Sequence, residues 1–392
     1  MRVFLIPSWY PSGSNPIFGT FIEEQVNLLA AECKELMFGI SLWGQGDEPY
    51  LLYANKPLRS LRKLFVHHPC FEKTEENKSI LFSPAYTWSK KFRKGNLEGI
   101  IRANEQNLMA FIAKHGKPDL IHAQASYPAA WISKVLSKKY KVPYLVTLRM
   151  SPFPFDEYLE RGELNKDIST VLKQAKTLIA TSRSQALRAE SLGLEKIKVV
   201  HNPVDLNFFK PPKEKQPNAQ VKLLAVGRLE AQKGFDTLIE AMSHVSEKIK
   251  LEIAGEGSQR KLLQKRIEDR SLDHRVRLVG QYSRLEIANS MQQADGYVLS
   301  SRHETFGNVL LEAMASGIPS VATRCGGPED IISGRTGIFC EVNDEVGLAE
   351  AIKKMMNTKW DPILIRSEAF NRFSPAVFAT QMLDIYKQVS NT

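Results

Sequence analysis

The chain contains no stretch of about 18 consecutive apolar residues, which is the length that a membrane-spanning helix needs. It has four cysteines, and none has the short spacing to another cysteine or to a histidine that is typical of zinc sites or redox dithiols. No Asp-x-Asp pair occurs, so a divalent metal held by such a pair is not indicated. Repeats and low-complexity tracts are absent as well. We therefore expect a cytoplasmic globular protein without a resident metal, with its cysteines as free thiols.

The length of 392 residues is large for one hydrophobic core, while 43% hydrophobic and 24% charged residues are ordinary for a globular protein. Two domains are therefore expected. The first residues, Met1 to Pro7, combine one basic residue with a short apolar run and no small-residue cleavage site. This pattern predicts a first strand rather than a signal peptide.

Positive charge is concentrated in the first half of the chain. The formal net charge is +10, and residues 1–200 contribute 28 basic and 19 acidic side chains to it. Two clusters are interleaved with leucines and aromatic residues: Arg59, Arg62 and Lys63, and Lys90, Lys91, Arg93 and Lys94. They could meet anionic lipid headgroups or phosphates, or they could form a solvated basic face. No nucleic-acid-binding module is recognisable, so we expect no nucleic-acid partner.

Strand-like apolar runs alternate with helical patterns in both halves of the chain, which indicates an α/β fold with parallel sheets. A segment rich in turn formers and charge, Pro211 to Pro217, follows His201–Asp205. We predict two doubly wound Rossmann-like domains facing each other across a cleft, residues 1–203 and residues 204–373. Ligands of such sheets bind beyond the carboxyl ends of the strands, so the cleft is the expected site.

The most informative segment runs from Ser300 to Pro319. A strand is predicted to end at Ser300, and a helix to begin near Thr305 and to stop at Gly317, a residue suited to a left-handed cap. The free amides at such a helix start, together with the positive end of its dipole, suit a diphosphate. The predicted donors are the amides of Phe306, Gly307 and Asn308.

Two glutamates bracket the start of this predicted helix. Glu304 and Glu312 are eight positions apart, which at about 100° per residue leaves them about 80° apart around the axis. Both could therefore bond one ligand, such as the hydroxyls of a sugar and of a ribose. The alternative is a pair of solvent-facing helix glutamates, and the glycine, proline and apolar neighbours favour the ligand.

Two cations follow the first predicted strand of the second domain. Arg228 and Lys233 are placed to neutralise a diphosphate and to stabilise its departure, although surface solvation would also explain them. Further on, Gly255-x-Gly257 is half of a dinucleotide fingerprint, with Arg260 at the third glycine position. It predicts a tight turn near a nucleotide base.

The first domain offers fewer candidates. The loop from Pro11 to Thr20, which contains Gly19, could cover a phosphate or admit an acceptor. His122 closes the predicted strand Asp119–Ile121 and should point toward the same cleft. A lone histidine is more often structural.

Four segments of the sequence resemble motifs of family-4 retaining glycosyltransferases of the GT-B fold, and the likeness extends over nearly the whole chain. Val226–Gly234 is similar to that family's Gly-Arg-Leu through Lys-Gly segment, and Glu304–Glu312 to its signature of two glutamates separated by seven residues. His201–Asp205 is similar to the interdomain linker, and Cys325–Glu329 to the glycine loop that follows.

The resemblance implies a UDP- or GDP-linked sugar as substrate, with no cofactor. It also implies a C-terminal helix, residues 374–392, that crosses back to the first domain. The residues so implied at the donor are Arg228 and Lys233 at the diphosphate, Thr305 to Asn308 at the phosphate through their amides, Glu312 at the ribose, Glu304 at the sugar hydroxyls, and His122 beside the sugar.

The mechanism implied is front-face transfer with retention, in which the diphosphate leaves and the acceptor hydroxyl attacks from the same side. Two features depart from the family pattern. Phe18-Gly19 stands where many members have two glycines, and Arg149 stands where a second histidine is often found. We expect Arg149 and Tyr127 to contact the acceptor. The residues Trp9–Pro11 look like those of a bacterial polysaccharide-assembly branch.

The leading hypothesis is a bacterial hexosyltransferase that extends a lipid-linked or membrane-surface saccharide at the inner face of the plasma membrane. A soluble glucan synthase of the glycogen type shares the glutamate pair, but the chain lacks a lysine-rich Gly-Gly loop near residue 15. An oxidoreductase or epimerase would depend on Gly255-x-Gly257 alone. A non-catalytic sugar-nucleotide sensor would keep the same donor residues.

Overall fold

The computed structural model describes residues 1–16, 18–66, 69–88, 95–212 and 220–391. Within these ranges the chain forms two compact units. Unit 1 comprises Met1–Thr181, Ala186–Val200 and Phe378–Thr392, and unit 2 comprises Ser182–Gln185 and His201–Val377. The second basic cluster, Lys90 to Lys94, and most of the turn-rich segment after Pro212 lie outside the described residues.

Unit 1 contains one large sheet and a short hairpin. The strands are β1 (Arg2–Pro7), β2 (Met37–Leu42), β3 (Phe71–Glu75), β4 (Lys78–Phe82), β5 (Leu120–Gln124), β6 (Tyr144–Thr147), β7 (Leu159–Glu160), β8 (Glu163–Leu164), β9 (Thr177–Ala180) and β10 (Ile197–Val199). The large sheet has the order β10-β9-β6-β5-β1-β2-β4-β3, and β7 pairs with β8. Among the described residues of the large sheet, β3 and β4 form the one antiparallel pair.

Helices connect these strands. They are α1 (Thr20–Glu32), α2 (Pro57–Leu64), α3 (Leu97–His115), α4 (Ala129–Tyr140), α5 (Lys166–Lys173) and α6 (Arg183–Ser191). Strands β1 and β5 are buried along almost their entire length, as expected for inner strands of a parallel sheet that is covered on both faces. A left-handed Gly19 starts α1, where a Cβ would lie 2.6 Å from the backbone of Trp9.

Unit 2 has a six-stranded parallel sheet. Its strands are β11 (Val221–Val226), β12 (Ile249–Ala254), β13 (Val276–Gly280), β14 (Gly296–Leu299), β15 (Ser320–Thr323) and β16 (Gly337–Cys340), in the order β13-β12-β11-β14-β15-β16. This is the doubly wound order, whose winding reverses between β11 and β14. The loops that follow these two strands therefore border the crevice in which ligands of such sheets bind.

Seven further helices follow in the part of the chain that the structure describes. They are α7 (Phe235–Met242), α8 (Arg260–Asp269), α9 (Arg284–Gln293), α10 (Asn308–Ala315), α11 (Glu345–Asn357), α12 (Pro362–Phe373) and α13 (Pro375–Ser390). Most of α13 belongs to unit 1, where Phe378, Met382 and Tyr386 pack in one cluster with Val3 and Leu5 of β1. The predicted fold class, with Rossmann-like domains and a C-terminal helix that returns to the first, is confirmed.

Unit 2 differs from the sequence pattern at three places. The pattern predicts a helix at Pro328–Ile332, but the structure has only a 3-10 turn there, Pro328–Asp330. Strand β16 and helix α12 were not predicted. Strand β16 has only four residues, too few for a clear period, whereas α12 does carry the helical spacing at Ile365, Ala369 and Phe373. No helix of the described ranges combines the length and the apolar character needed to cross a membrane.

A buried arginine ties the end of α7 to the start of β13. Arg275 is 3% exposed. Its guanidinium donates to the carbonyl oxygens of Met242 at 2.5 Å, Val245 at 3.2 Å and Ser246 at 3.1 Å. Carbonyls at the end of a helix have no partner within the helix, so a cation there satisfies them and complements the helix dipole.

We predict that Arg275→Ala lowers the free energy of unfolding by about 3 kcal/mol, because it removes a buried guanidinium and its three hydrogen bonds to carbonyl oxygens. Arg277→Ala, at an exposed position of β13 two residues further along, should change it by less than about 0.5 kcal/mol. Scanning calorimetry of the full chain measures both. Equal melting of the two variants would contradict this role of Arg275.

Candidate active site

The loops after β11 and β14 lie in direct contact in unit 2. Gly234 has φ +61°, and a Cβ there would lie 2.0 Å from the carbonyl oxygen of Ser300. The Arg302 amide donates to the Gln232 carbonyl at 2.7 Å, and the Gln232 side chain donates to the His303 carbonyl at 2.8 Å. Only glycine at position 234 permits this approach. The approach brings the side chain of the preceding Lys233 toward the β14 loop.

Lys233 and Glu304 form an ion pair. The Lys233 Nζ lies 2.5 Å from Glu304 Oε1, and the Ser301 hydroxyl donates to the same oxygen at 2.7 Å. The side chains are 21% and 9% exposed. The structure thus brings together two residues that were predicted separately, and it adds Ser301, which had no motif of its own to mark it.

Glu304 does not lie on a helix. It forms an isolated parallel bridge with Gly326, in which the Glu304 amide donates to the Cys325 carbonyl at 3.1 Å and its carbonyl accepts from the Gly327 amide at 2.8 Å. A Cβ at Gly327 would lie 2.3 Å from Phe306. The glycine loop therefore fixes the backbone that carries Glu304.

The predicted helix start near Thr305 is wrong, because α10 begins at Asn308 after a left-handed Gly307. Glu312 is the fifth residue of the helix, and the separation of about 80° calculated from a continuous helix does not apply. Among the described residues, the amides of Phe306, Gly307 and Asn308 donate to no backbone or side-chain acceptor. An anion beside the start of α10 would meet these unsatisfied donors and the positive end of the helix dipole.

Glu312 is half-buried on α10. Its charge, like that of Glu304, acts on the buried phenol of Tyr297 in β14, whose pKa is raised mainly by burial and further by these two carboxylates. The two glutamates thus both lie near Tyr297, although they do not share a helix. The expectation that both can reach one ligand stays a prediction.

The other predicted donor residues lie near this arrangement or are explained by packing. Arg228 is exposed after β11. The pKa of Glu230 is lowered mainly by hydrogen bonds from Ser258 and further by the charge of Arg228. Gly255 has φ +153°, and a Cβ there would lie 1.8 Å from the Gly227 carbonyl oxygen. The β12 loop thus needs glycine to pass the β11 loop, a packing reason that is independent of any nucleotide.

A second polar cluster lies next to the glycine loop, and it was not predicted from the sequence. Asp330 Oδ2 lies 3.1 Å from His201 Nε2 and accepts from the Arg183 amide at 2.6 Å. His201 also stacks on Phe306, with ring centroids 5.5 Å apart. The motif His201–Asp205 was recognised as a linker, but its contact with a carboxylate 129 positions away has no local signal.

His122 lies inside β5 and does not close it, so the predicted strand boundary is wrong. The residue is 1% exposed. Its Nδ1 lies 2.9 Å from the Tyr386 hydroxyl, and its Nε2 lies 2.7 Å from the Thr147 hydroxyl and 3.2 Å from Gln124 Nε2. Its predicted role beside the donor sugar stays a prediction, and its observed contacts are structural.

Arg149 determines which atoms of Gln124 and His122 donate hydrogen bonds and which accept them. Its Nε donates to Gln124 Oε1 at 2.8 Å, and its terminal nitrogen donates to the Gln25 side chain. Because arginine only donates, the Gln124 oxygen faces Arg149, and the Gln124 amide nitrogen donates to His122 Nε2. The proton of the neutral imidazole is then on Nδ1. Burial lowers the pKa of Arg149 to about 9.

Tyr127, the other predicted acceptor residue, borders a cavity of about 300 Å³ in unit 1. Burial raises its pKa to about 12. The cavity wall is rich in aromatic side chains, which stack well on the apolar faces of sugars. They are Trp9, Phe18, Trp43, Trp88, Tyr127, Phe155 and Tyr158.

Metal coordination has no candidate in the part of the chain that the structure describes: no three histidine, cysteine, aspartate or glutamate side chains there are grouped to hold an ion.

Two family models match consecutive parts of the chain. Residues 70–208 match Glycosyltransferase Family 4, and residues 207–372 match Glycosyl transferases group 1. The chain belongs to the family-4 glycosyltransferases. The fold agrees with that of solved GT-B structures, so the resemblance drawn from the four motifs is confirmed.

Several relatives of this family-4 chain are similar over much of its length. The Mycobacterium tuberculosis glycogen synthase is 31% identical over 259 residues, which cover 62% of this chain and 61% of the relative. The match thus spans about three fifths of that relative. The teichuronic acid biosynthesis glycosyltransferase TuaC of Bacillus subtilis is 24% identical over 380 residues, 92% of this chain and 91% of TuaC.

Two solved structures are similar in fold across nearly the whole chain. Sucrose-phosphate synthase from Thermosynechococcus elongatus has a TM-score of 0.73 at 20% identity and covers 99% of this chain and 98% of its own. Anabaena HepE in complex with UDP and glucose has a TM-score of 0.69 at 18% identity and covers 99% of this chain and 100% of its own.

We predict that Lys233→Met lowers the free energy of unfolding by about 2 kcal/mol, because Glu304 then keeps a largely buried charge without its cation. The double variant Lys233→Met/Glu304→Gln should recover most of this loss, since it removes both charges. Urea unfolding measures the wild type, Lys233→Met, Glu304→Gln and the double variant. A double variant as unstable as the sum of the single variants would show that the pair is not coupled.

The buried imidazole of His122 makes the stability of unit 1 depend on pH. Burial and the nearby Arg149 lower the pKa of His122 from 6.5 to about 3. Between these values the unfolded chain binds a proton that the folded chain does not, so stability is lost as the pH falls below 6.5 toward 3.

We predict that the free energy of unfolding falls by about 2 kcal/mol between pH 7 and 5 on account of His122. His122→Gln should remove this part of the slope, whatever its effect at neutral pH. His244→Gln, an exposed histidine of unit 2, serves as the control and should keep it. Urea unfolding across this pH range makes the comparison, and parallel slopes for wild type and His122→Gln would contradict the assignment.

Proposed function

We propose that the protein is a retaining, metal-independent hexosyltransferase that moves a sugar from a UDP- or GDP-linked donor to a saccharide or lipid-linked saccharide in cell-surface polysaccharide synthesis. The observation that carries the proposal is the Lys233–Glu304 pair beside the unsatisfied amides at the start of α10. This arrangement lies within the segment that matches the group 1 glycosyltransferase model. It offers a cation, a carboxylate and anion donors within one site.

In the proposed donor complex, the diphosphate lies against the amides of Phe306 to Asn308. Lys233 and the exposed Arg228 then neutralise it. Glu304, released from Lys233, accepts hydrogen bonds from the sugar hydroxyls, and Glu312 accepts them from the ribose. Charge-assisted bonds of this kind are about twice as strong as neutral ones. HepE, which has the same fold, is known in complexes with UDP and with UDP-glucose, and this supports a nucleotide-sugar donor.

The proposed chemical step breaks the bond between the anomeric carbon and the diphosphate oxygen and forms a bond from that carbon to the acceptor oxygen on the same face. The acceptor hydroxyl proton passes to the departing phosphate oxygen. The site stabilises the negative charge that develops on the leaving group with donors that are already in place. No protein nucleophile is required.

The acceptor is proposed to bind in unit 1, at the aromatic cavity that contains Tyr127 and near Arg149. TuaC is named for a role in teichuronic acid biosynthesis, which supports a saccharide of the cell surface. We propose that the protein works in the cytoplasm at the inner face of the plasma membrane, with no nucleic-acid partner. A glucan synthase of the glycogen type is the second candidate, because the Mycobacterium tuberculosis relative is a glycogen synthase.

We predict that Glu304→Gln lowers kcat/KM for sugar transfer by about 100-fold, equivalent to about 2.7 kcal/mol of transition-state stabilisation. Glu350→Gln, at an exposed glutamate of α11, should leave transfer unchanged. The assay uses the UDP- or GDP-sugar that gives the largest thermal shift, with lipid-linked saccharides and glycogen as acceptors, and it is repeated in EDTA. Unchanged transfer by Glu304→Gln would contradict the donor site.

The same experiment separates the alternatives. Transfer to glycogen but not to lipid-linked saccharides would select the glucan synthase. Binding of a nucleotide sugar without transfer or hydrolysis would select a sensor. Loss of transfer in EDTA would contradict metal independence, and inversion at the anomeric carbon, seen by NMR, would contradict the retaining mechanism.

A further inference from the structure

Helix α2 of unit 1 exposes its apolar side chains. In this two-turn segment and just after it, Leu58 is 77% exposed, Leu61 52%, Leu64 49% and Phe65 82%. None of the residues of α2 is buried. Positions 58, 61 and 65 fall within about 60° around a helix axis, so their side chains form one apolar face toward solvent.

Two polar side chains of α2, those of Ser60 and Lys63, face the protein instead. The Ser60 hydroxyl donates to the Tyr53 carbonyl at 3.0 Å and accepts from the Tyr53 amide at 2.7 Å. The Lys63 side chain is 12% exposed, donates to the Leu51 carbonyl at 2.7 Å and pairs with Glu48. Hydrogen bonds thus hold the helix with its leucines outward, the reverse of the usual arrangement of a surface helix.

Positive charge surrounds this apolar face. Residues 49–71 contain four basic side chains and no acidic one. Arg59 pairs with Glu48 at 2.7 Å. Lys56 and Arg62 are exposed and have no carboxylate within ion-pair distance in the described ranges. Arg62 is about 40° from Leu58 around the axis, beside the apolar face.

We propose that α2 and Phe65 dock unit 1 on an anionic lipid bilayer, with Leu58, Leu61 and Phe65 inserted at the headgroup boundary and Lys56 and Arg62 against the lipid phosphates. A basic helix with leucine and phenylalanine on one face is the pattern of an interfacial helix. A second copy of the chain is disfavoured as the occupant, because pairing α2 with itself brings like charges together.

Docking places the acceptor cavity close to the membrane. Tyr86 donates from its hydroxyl to the Lys63 carbonyl at 2.8 Å, and the next residues, Thr87 and Trp88, border the aromatic cavity. The inference deepens the proposed function by naming the surface that supplies its acceptor. It rests on that function only for this purpose, because lipid binding itself needs no sugar transfer.

The test is flotation of the full chain with vesicles of phosphatidylcholine, with and without phosphatidylglycerol. Wild type should float only with the anionic vesicles. Leu61→Glu/Phe65→Glu should lower the partition coefficient at least about tenfold, since two apolar anchors are lost and two negative charges are added. Arg62→Glu should lower it to a smaller extent.

The matched control is Ile363→Glu, which places a glutamate at a leucine-sized position that is 80% exposed on α12 of unit 2. It should float like wild type. All variants change exposed positions, and an unchanged melting temperature verifies that they fold. Absence of wild-type binding, binding that does not depend on phosphatidylglycerol, or unchanged binding of Leu61→Glu/Phe65→Glu would overturn the proposal.

Two further readouts keep this inference separate from the proposed function. Glu304→Gln should float like wild type, because the substituted residue lies in unit 2 and not near α2. Leu61→Glu/Phe65→Glu should keep its kcat with a water-soluble acceptor and lose transfer to an acceptor embedded in vesicles. Concentration-dependent dimerisation that is abolished by the same double variant, without lipid binding, would identify a second copy as the occupant and overturn the lipid proposal.

Discussion

The close passage of the Lys233–Gly234 turn over the carbonyl of Ser300 is the constraint on which the candidate site depends. It joins the loops after β11 and β14 at the point where the winding of the sheet reverses. Lys233 reaches Glu304 only because position 234 has no side chain. The Glu304 backbone is held in turn by Cys325 and Gly327. A carboxylate whose backbone and hydrogen bonds are both fixed is organised before a ligand arrives, which is a condition for a precise binding site.

The sequence allowed the fold class to be predicted because its signals are local and repeated. Short apolar runs alternate with helical periods, and the glycines mark the turns. It also allowed Arg228, Lys233, Glu304 and Glu312 to be selected as one group, through motif order. It did not give the start of α10, since nothing in Thr305-Phe306-Gly307 shows that the backbone first pairs with Gly326. Pairing between segments that are distant along the chain leaves no signal in the local sequence pattern.

The hydrogen-bond partners of His122 could not be predicted for the same reason, because they come from distant parts of the chain. From the sequence it ends a short apolar run, and the end of a strand in a parallel sheet is a natural position for a functional residue. The partner that fills its hydrogen-bonding capacity is Tyr386, 264 positions away. Arg149 shows a related effect, because its position after β6 is readable but its glutamine partners, Gln25 and Gln124, come from other elements. A hydrogen-bond network that joins four elements, α1, β5, β6 and α13, depends on the tertiary structure.

Helix α13 has a consequence for how the chain acquires its structure. Phe378, Met382 and Tyr386 are part of the core that also contains β1, yet more than 370 residues separate the two segments along the chain. A ribosome adds about 5–20 residues per second, so many seconds pass between the synthesis of β1 and that of α13, which packs against it. Unit 2 has all of its strands in one continuous stretch and can close earlier. Unit 1, whose first strand is synthesised first, therefore completes its core last. The apolar residues that α13 covers need protection until then.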